Sequence, residues 1–250
     1  MSIDAHCHID LHSDPRAVVE AAVEAGVRVV AVTTTPAAFK ISATFTDVER
    51  GIIPALGMHP EVVGSRPRDM DLFSKYLDQV LWVGEVGLDG SKRFKDSWNA
   101  QVKTFERVLR ECSDVGGRIL SVHSRSAAGY VFDLIARYPN AGTPVFHWFS
   151  GPPSEIPDAV ALGAYFSANH QMLQSKSGLA IARNIPIDRL LTESDAPFAT
   201  TDASLDLAGR LFAAESKLAE IFKCKLADIK LKISDNFNRL TSRSHEICDH

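Results

Sequence analysis

Five apolar runs of strand length each close on a side chain that can ligate a metal ion. The first, Ile3-Asp4-Ala5, leads into His6-Cys7-His8. The others are Leu81-Trp82-Val83-Gly84 ending at Glu85, Ile119-Leu120-Ser121-Val122 ending at His123, Thr143-Pro144-Val145-Phe146 ending at His147, and Leu190 through Ser194 ending at Asp195. On a strand, side chains at i and i+2 face the same way, so His6 and His8 present two imidazoles to one point. Imidazole is the commonest protein ligand for a metal. One His-x-His in a chain with nine histidines carries little weight alone. Five strand ends in succession carry much more, because ligands at the C-terminal ends of buried strands are where a (β/α)8 barrel builds its site.

The spacing predicts the same architecture. His123 and His147 are 24 residues apart, one short strand–helix unit; His147 and Asp195 are 48 apart, with Ala164-Tyr165-Phe166-Ser167 as a strand between them. Two more apolar runs, Val27 to Val32 and Ile52 to Leu56, fall between His8 and Glu85. The expectation is an α/β fold: a single-domain eight-stranded TIM-type barrel spanning residues 1–250, with 241–250 as a frayed polar tail. At 250 residues and 45% apolar content the chain suits one barrel with a large core.

Helical segments separate the strands. Asp14-Pro15 opens a helix that Gly26 ends, placing Pro just inside the start and Gly just past the end. Short helices are predicted over Pro36 to Lys40, Met70 to Gln79, Ala127 to Tyr138, Pro153 to Leu162 and Ser177 to Arg183. A long amphipathic one runs from Trp98 to Val115, with Val102, Phe105, Val108, Leu109 and Cys112 on its core face. Leu205 to Leu240 reads as two helices covering the barrel.

Charge and cysteines bound the function. A net charge of -4 gives no chain-wide basic field for nucleic acid, although bound divalent cations supply local positive charge. Cys7, Cys112, Cys224 and Cys248 are scattered and form no C-x-x-C pair, which fits reduced thiols in a cytoplasmic protein. The first strand begins at once, without the basic-then-apolar form of a signal peptide. No apolar run approaches a membrane span.

Taken in order, His6-x-His8, Gly57-Met58-His59-Pro60, Gly84-Glu85-Val86-Gly87-Leu88-Asp89, His123-Ser124-Arg125, His147-Trp148-Phe149-Ser150-Gly151 and Glu193-Ser194-Asp195-Ala196-Pro197 resemble the motifs of the TatD family. These are metal-dependent hydrolases of the amidohydrolase superfamily, with deoxyribonuclease members. The resemblance spans Ile3 to Phe198. Val32-Thr33-Thr34-Thr35-Pro36 and the short Asp89-Gly90-Ser91 loop look like the QatD branch, the TatD-like component of the Qat anti-phage defence system.

The resemblance implies two divalent metal ions, one held by His6, His8, Glu85 and Asp195, the other by Glu85, His123 and His147. It implies catalysis by Glu85 and Asp195, with Asp195 as general base toward a metal-activated water. Ligand softness suits Zn²⁺ or Mn²⁺; Mg²⁺ follows from the family. Arg125 suits a phosphate or a carboxylate equally. His59, Asp89 and Trp148 are further candidates for substrate contact, with loop packing as the alternative. The family commonly carries Cys where Trp148 stands and Thr where Ser194 stands; Trp148 narrows the mouth.

The expected function is that of a deoxyribonuclease, a 3'-5' exonuclease-like phosphodiesterase with DNA as substrate, in anti-phage defence. Two alternatives stand beside it. One is hydrolysis of a small amide, lactone or phosphoester, since the barrel hosts many chemistries. The other is a metal-binding subunit active only with partner subunits of a defence complex.

Overall fold

A computed structural model describes residues 1–63, 69–199 and 205–248, with side chains through residue 242. Eight parallel strands follow one another around the sheet in chain order. They are β1 (Ser2–Cys7), β2 (Val27–Ala31), β3 (Ile52–Leu56), β4 (Trp82–Gly87), β5 (Ile119–His123), β6 (Thr143–His147), β7 (Tyr165–Ala168) and β8 (Leu190–Thr192). Each pairs with the next, so seven parallel ladders carry the sheet round into a nearly closed barrel. All eight strands are almost wholly buried, as expected where helices cover a parallel sheet.

The helices are α1 (Pro15–Glu24), α2 (Pro36–Ser42), α3 (Asp69–Tyr76), α4 (Trp98–Val115), α5 (Ala128–Arg137), α6 (Ile156–Ala161), α7 (Lys176–Asn184), α8 (Leu207–Phe222) and α9 (Leu226–Cys248). Local chemistry starts several of them. Asp14, Thr35, Ser175 and Asp206 each accept a hydrogen bond from a backbone N–H of the first turn, at 2.7 to 3.1 Å. Pro15 and Pro36 stand where no backbone donor is needed.

The two ends of the barrel differ. At the N-terminal ends of the strands, α9 forms a floor. Its Phe237 stacks on Trp82, which opens β4, with centroids 5.8 Å apart. Asn236 Nδ2 donates to Ile187 O and Leu190 O, both at 2.8 Å, and Asn238 accepts from Arg28 of β2 at 2.8 Å. The C-terminal ends stay open, and the functional side chains gather there. Among the described residues no helix is long and apolar enough to cross a membrane.

The seam between β8 and β1 is closed by individual hydrogen bonds. Thr192 Oγ1 donates to Ile3 O at 2.6 Å, Asp195 N to His6 O at 2.9 Å, and His8 N to Ala196 O at 2.8 Å. Between them the buried Asp4 Oδ1 accepts from Ser194 N at 2.9 Å and His6 N at 3.2 Å.

β2 and β7 differ from the expected bounds by one residue at one end or both, and two strands differ by more. β8 ends at Thr192, three residues before Asp195, because Ser194 N turns to the Asp4 carboxylate and Asp195 adopts a left-handed backbone, φ 48°. β4 runs beyond Glu85 to Gly87. Gly87, at φ 135°, passes so near β5 that a Cβ there would lie 2.0 Å from His123 O. The backbone of α9 runs through most of the 241–250 segment; the His245 side chain and all of His250 lie outside the described residues.

Burial pushes the Asp4 carboxyl up to about 7 from an ordinary value of 3.8, against the lowering by its bonds from Ser194 and His6. Above pH 4 the unfolded chain has released this proton, whereas the folded chain keeps it until about pH 7. Asp4 by itself should therefore lower wild-type stability through that window by up to about 1.4 kcal/mol per pH unit. Asp4→Asn keeps an acceptor without the charge and should remove that slope. Asp4→Ala strands two buried N–H groups and should cost about 2–4 kcal/mol at any pH. Denaturant unfolding of both variants between pH 5 and pH 8 measures this, and equal slopes in wild type and Asp4→Asn would contradict it.

Candidate metal centre

Glu85 lies at the bottom of the open end, 2% exposed. Its two oxygens face different partners. Oε2 is 3.1 Å from His8 Nε2 and 3.4 Å from His6 Nε2. Oε1 is 2.8 Å from His123 Nδ1, 3.0 Å from His147 Nε2 and 3.1 Å from His59 Nε2. Asp195 Oδ1 completes the first group, 3.8 Å from His6 Nε2 and 3.9 Å from His8 Nε2.

Each side chain is delivered by a different strand or strand end. His6 lies within β1, and His8 stands between β1 and a 3-10 turn. His123 and His147 are the last residues of β5 and β6. His59 arrives because Gly57 lets the chain pass the segment after β2 at close range: a Cβ at Gly57 would sit 1.6 Å from Thr33 O. Met58 N then donates to Glu85 O at 3.0 Å and His59 N to Thr34 O at 2.9 Å. Asp195 and Trp148 both hold left-handed backbones, at φ 48° and 36°, conformations that non-glycine residues adopt at a cost where a site demands them.

The donor set fits divalent cations. A tetrahedral ion with bonds of about 2.0–2.1 Å holds its ligand atoms about 3.4 Å apart, and the separations between donors here run from 2.8 to 3.9 Å. His6 Nε2 and His8 Nε2 face each other at 3.3 Å, an approach natural for two nitrogens directed at one ion. Three overlapping trios keep their donor atoms within 4.8 Å of one another: His6, His8 and Asp195; His6, Glu85 and His147; His59, Glu85 and His123.

Protonation follows from burial and the charges that face it. Burial alone would raise the Glu85 carboxyl, but the imidazoles of His59, His147, His6 and His123 hold it well below the usual range, as the anion a metal needs. Burial, reinforced by His147, keeps His6 neutral, its pKa well below the ordinary value. His147 and His123 rise despite burial: Glu85 and then Glu193 raise the first, and Asp89 and then Glu85 raise the second. Burial pushes Asp195 up to about 7, and the Glu193 and Glu85 charges add to this.

The donors are themselves held. His6 Nδ1 is 2.8 Å from Ser121 Oγ. His123 Nε2 is 2.9 Å from Asp89 Oδ2, and Asp89 also accepts from Ser91 N at 2.8 Å. Burial would raise Asp89, yet these bonds hold it below the carboxylate range. Glu193, fully buried, has Oε1 3.7 Å from His147 Nδ1. That oxygen accepts from Trp148 N at 3.1 Å and Asn169 Nδ2 at 2.9 Å, while Oε2 accepts from Ser167 Oγ. Carboxylates and hydroxyls behind imidazole ligands fix ring orientation and raise ligand basicity.

The structure thus brings His6, His8, Glu85, His123, His147 and Asp195 to one point. It places His59 among the donors instead of in loop packing. Asp89 is 0% exposed, and its carboxylate grips His123. Arg125 and Trp148 line the cavity, Arg125 exposed and Trp148 half-buried against the core. Ser121 and Glu193 carried no role in the sequence reading. Ser121 had a usable signal, since it lies two residues before His123 on one strand and shares its face. Glu193 had only its position as an acid where an apolar residue would end β8.

Such a barrel, with imidazole and carboxylate donors converging above its strand ends, is the architecture of a metal-dependent hydrolase. The chain belongs to the TatD related DNase family, which matches residues 3–242. A putative deoxyribonuclease TATDN3 of Mus musculus is 30% identical over 214 residues, covering 78% of this chain and 72% of that protein. Deoxyribonuclease TATDN3 of Homo sapiens is 28% identical, covering 78% and 77%. A TatD homologue from Escherichia coli shares the fold at a TM-score of 0.77 and 23% identity, over 96% of this chain and 97% of that one. A TatD family hydrolase from Entamoeba histolytica does so at 0.78 and 17%, with 96% and 97% covered.

Ser121→Ala removes the partner of His6 without touching a donor atom. It should weaken divalent metal binding by about 10–100-fold, read by competition with a chelating dye, while the melting temperature of the metal-free protein shifts little. Unchanged affinity would show that Ser121 does not orient His6.

Proposed function

We propose that this chain is a metal-dependent phosphodiesterase acting on DNA. The observation that carries this reading is Glu85, whose two oxygens face separate donor groups at the floor of a cavity of about 560 Å³. That volume suits a nucleotide-sized group. His6, His8, Glu85 and Asp195 would hold one cation, and Glu85, His123 and His147 the other, with His59 adjoining the second. Bound divalent cations would polarise the phosphodiester and lower the pKa of a water beside it.

The remaining work falls to the chain's own groups. Asp195, beside His6 and His8, takes the proton of the attacking water as general base. Glu85 stays anionic and keeps the two donor groups in register. Arg125 at the cavity lip has no ion pair among the described residues, and its planar fork suits a phosphate. Trp148 and Phe198 line the opening and give a base apolar faces to rest on. The deoxyribonuclease names of the TATDN3 relatives support DNA as substrate.

Finer points rest on the family resemblance and on the sequence of the Val32–Pro36 and Asp89–Ser91 segments. They are 3'-5' exonucleolytic cleavage, a role in anti-phage defence beside partner subunits, and a cytoplasmic setting, which the buried free thiols of Cys7 and Cys112 suit. Trp148 at the mouth favours one further reading, hydrolysis of a small phosphoester.

End-labelled single- and double-stranded DNA with Mn²⁺, Mg²⁺ or Zn²⁺ added in turn tests this. The account predicts shortening from one end, and a loss of about 10²–10⁴-fold in Asp195→Asn with folding retained. Cleavage of small phosphoesters but not DNA would shift the function to the second reading. Wild-type turnover by Asp195→Asn would remove Asp195 as the base.

A further inference from the structure

Basic and aromatic side chains lie on the segments that follow β4 and β5, whose loops meet at Arg125. The 3-10 helix Lys92–Ser97 stands above β4 and carries Lys92, Arg93 and Lys95 against the single acid Asp96. All three cations are exposed, and none makes an ion pair among the described residues. The Arg93 guanidinium lies over the Phe94 ring, 5.1 Å from its centroid. Trp98, which opens α4, meets Tyr130 in the first turn of α5 edge to face, with centroids 5.2 Å apart. Tyr130 is 63% exposed, so part of its ring is open to a ligand.

This surface is fixed to the metal centre. Gly90 N donates to Arg125 O at 2.8 Å, joining the loop after β4 to the loop after β5. The buried Gln101 accepts from Asp89 N at 2.8 Å and donates to Phe94 O at 3.3 Å and Ser97 Oγ at 3.0 Å. Asp89 in turn holds His123. One network therefore holds both the donor His123 and the basic helix.

Positive groups that track phosphates, interleaved with rings on which unstacked bases rest, are the chemistry that binds a single strand without reading its sequence. We propose that Arg93, Lys95, Trp98 and Tyr130 form such a track, continuous with Arg125, and that it holds the single-stranded DNA leading away from the nucleotide in the cavity. This rests on the phosphodiesterase reading above and specifies its substrate: a strand several nucleotides long, gripped outside the site of cleavage.

Two variants test the track, Arg93→Ala/Lys95→Ala and Tyr130→Ala, since all three side chains are exposed and neither variant should unfold the barrel. KM and kcat are measured on a 12-nucleotide single strand and on a dinucleotide. Affinity for the 12-mer is also measured by fluorescence anisotropy in EDTA across a salt series. The expected result is a rise in KM and Kd for the 12-mer of about fivefold or more, with kcat retained and the dinucleotide unaffected. The double variant should also flatten the log Kd against log salt slope by about 1.4, or 0.7 for each lost phosphate contact. Values within twofold of wild type in both variants, with an unchanged salt slope, would overturn the track. A wild type that binds the 12-mer through these residues but cleaves no DNA would keep the track and sink the nuclease reading. A wild type that neither binds nor cleaves it would end both.

Discussion

A buried carboxylate with a different set of imidazoles on each oxygen is the interaction on which this molecule depends. Glu85 is taken out of water at a cost that burial alone would settle by protonating it. Five histidine nitrogens within 3.4 Å keep it charged instead. Those five come from β1, the turn after it, the loop after β3, β5 and β6, so the site exists only when the sheet has curled far enough to bring distant strands together.

Closure is the second constraint. Seven ladders run by ordinary parallel pairing, whereas the eighth contact is made by side chains and loop backbone. The residues that make it, Asp4, Thr192 and Ser194, alternate with or adjoin His6 and Asp195. A defect in the seam would therefore displace two donors, which ties stability and metal binding to the same few atoms. The glycines at 57 and 87 serve the same end on the other side of the barrel, letting neighbouring chain segments approach until His59 and His123 reach Glu85.

Much of this was legible in the residues alone. The runs ending at His123 and His147 are short, apolar and punctuated, so their ends coincide with those of β5 and β6, and the six donors share a point as their order implies. Asp195 was harder to place, because its turn depends on Asp4, which is 191 positions away in the chain and looks like an interruption in an apolar strand. Asp89 and His59, equal candidates in the sequence, part company for a similar reason. Whether a loop side chain faces in or out is set by which backbone it crosses, as Thr33 and Thr34 show for His59, and local pattern carries no record of that. The Trp98–Tyr130 pair was equally hidden, since Trp98 reads as the start of a core-facing helix until α5 is set beside it.

The central claim is that Glu85 spans two cations. Crystals of the full chain grown with Mn²⁺, with anomalous diffraction collected at the manganese edge, test it directly. The account predicts two peaks about 3.5–4 Å apart, one beside His6, His8 and Asp195 and one beside His123 and His147, with Glu85 between them. A single peak on one side of Glu85, or a pair that does not share it, would contradict the account.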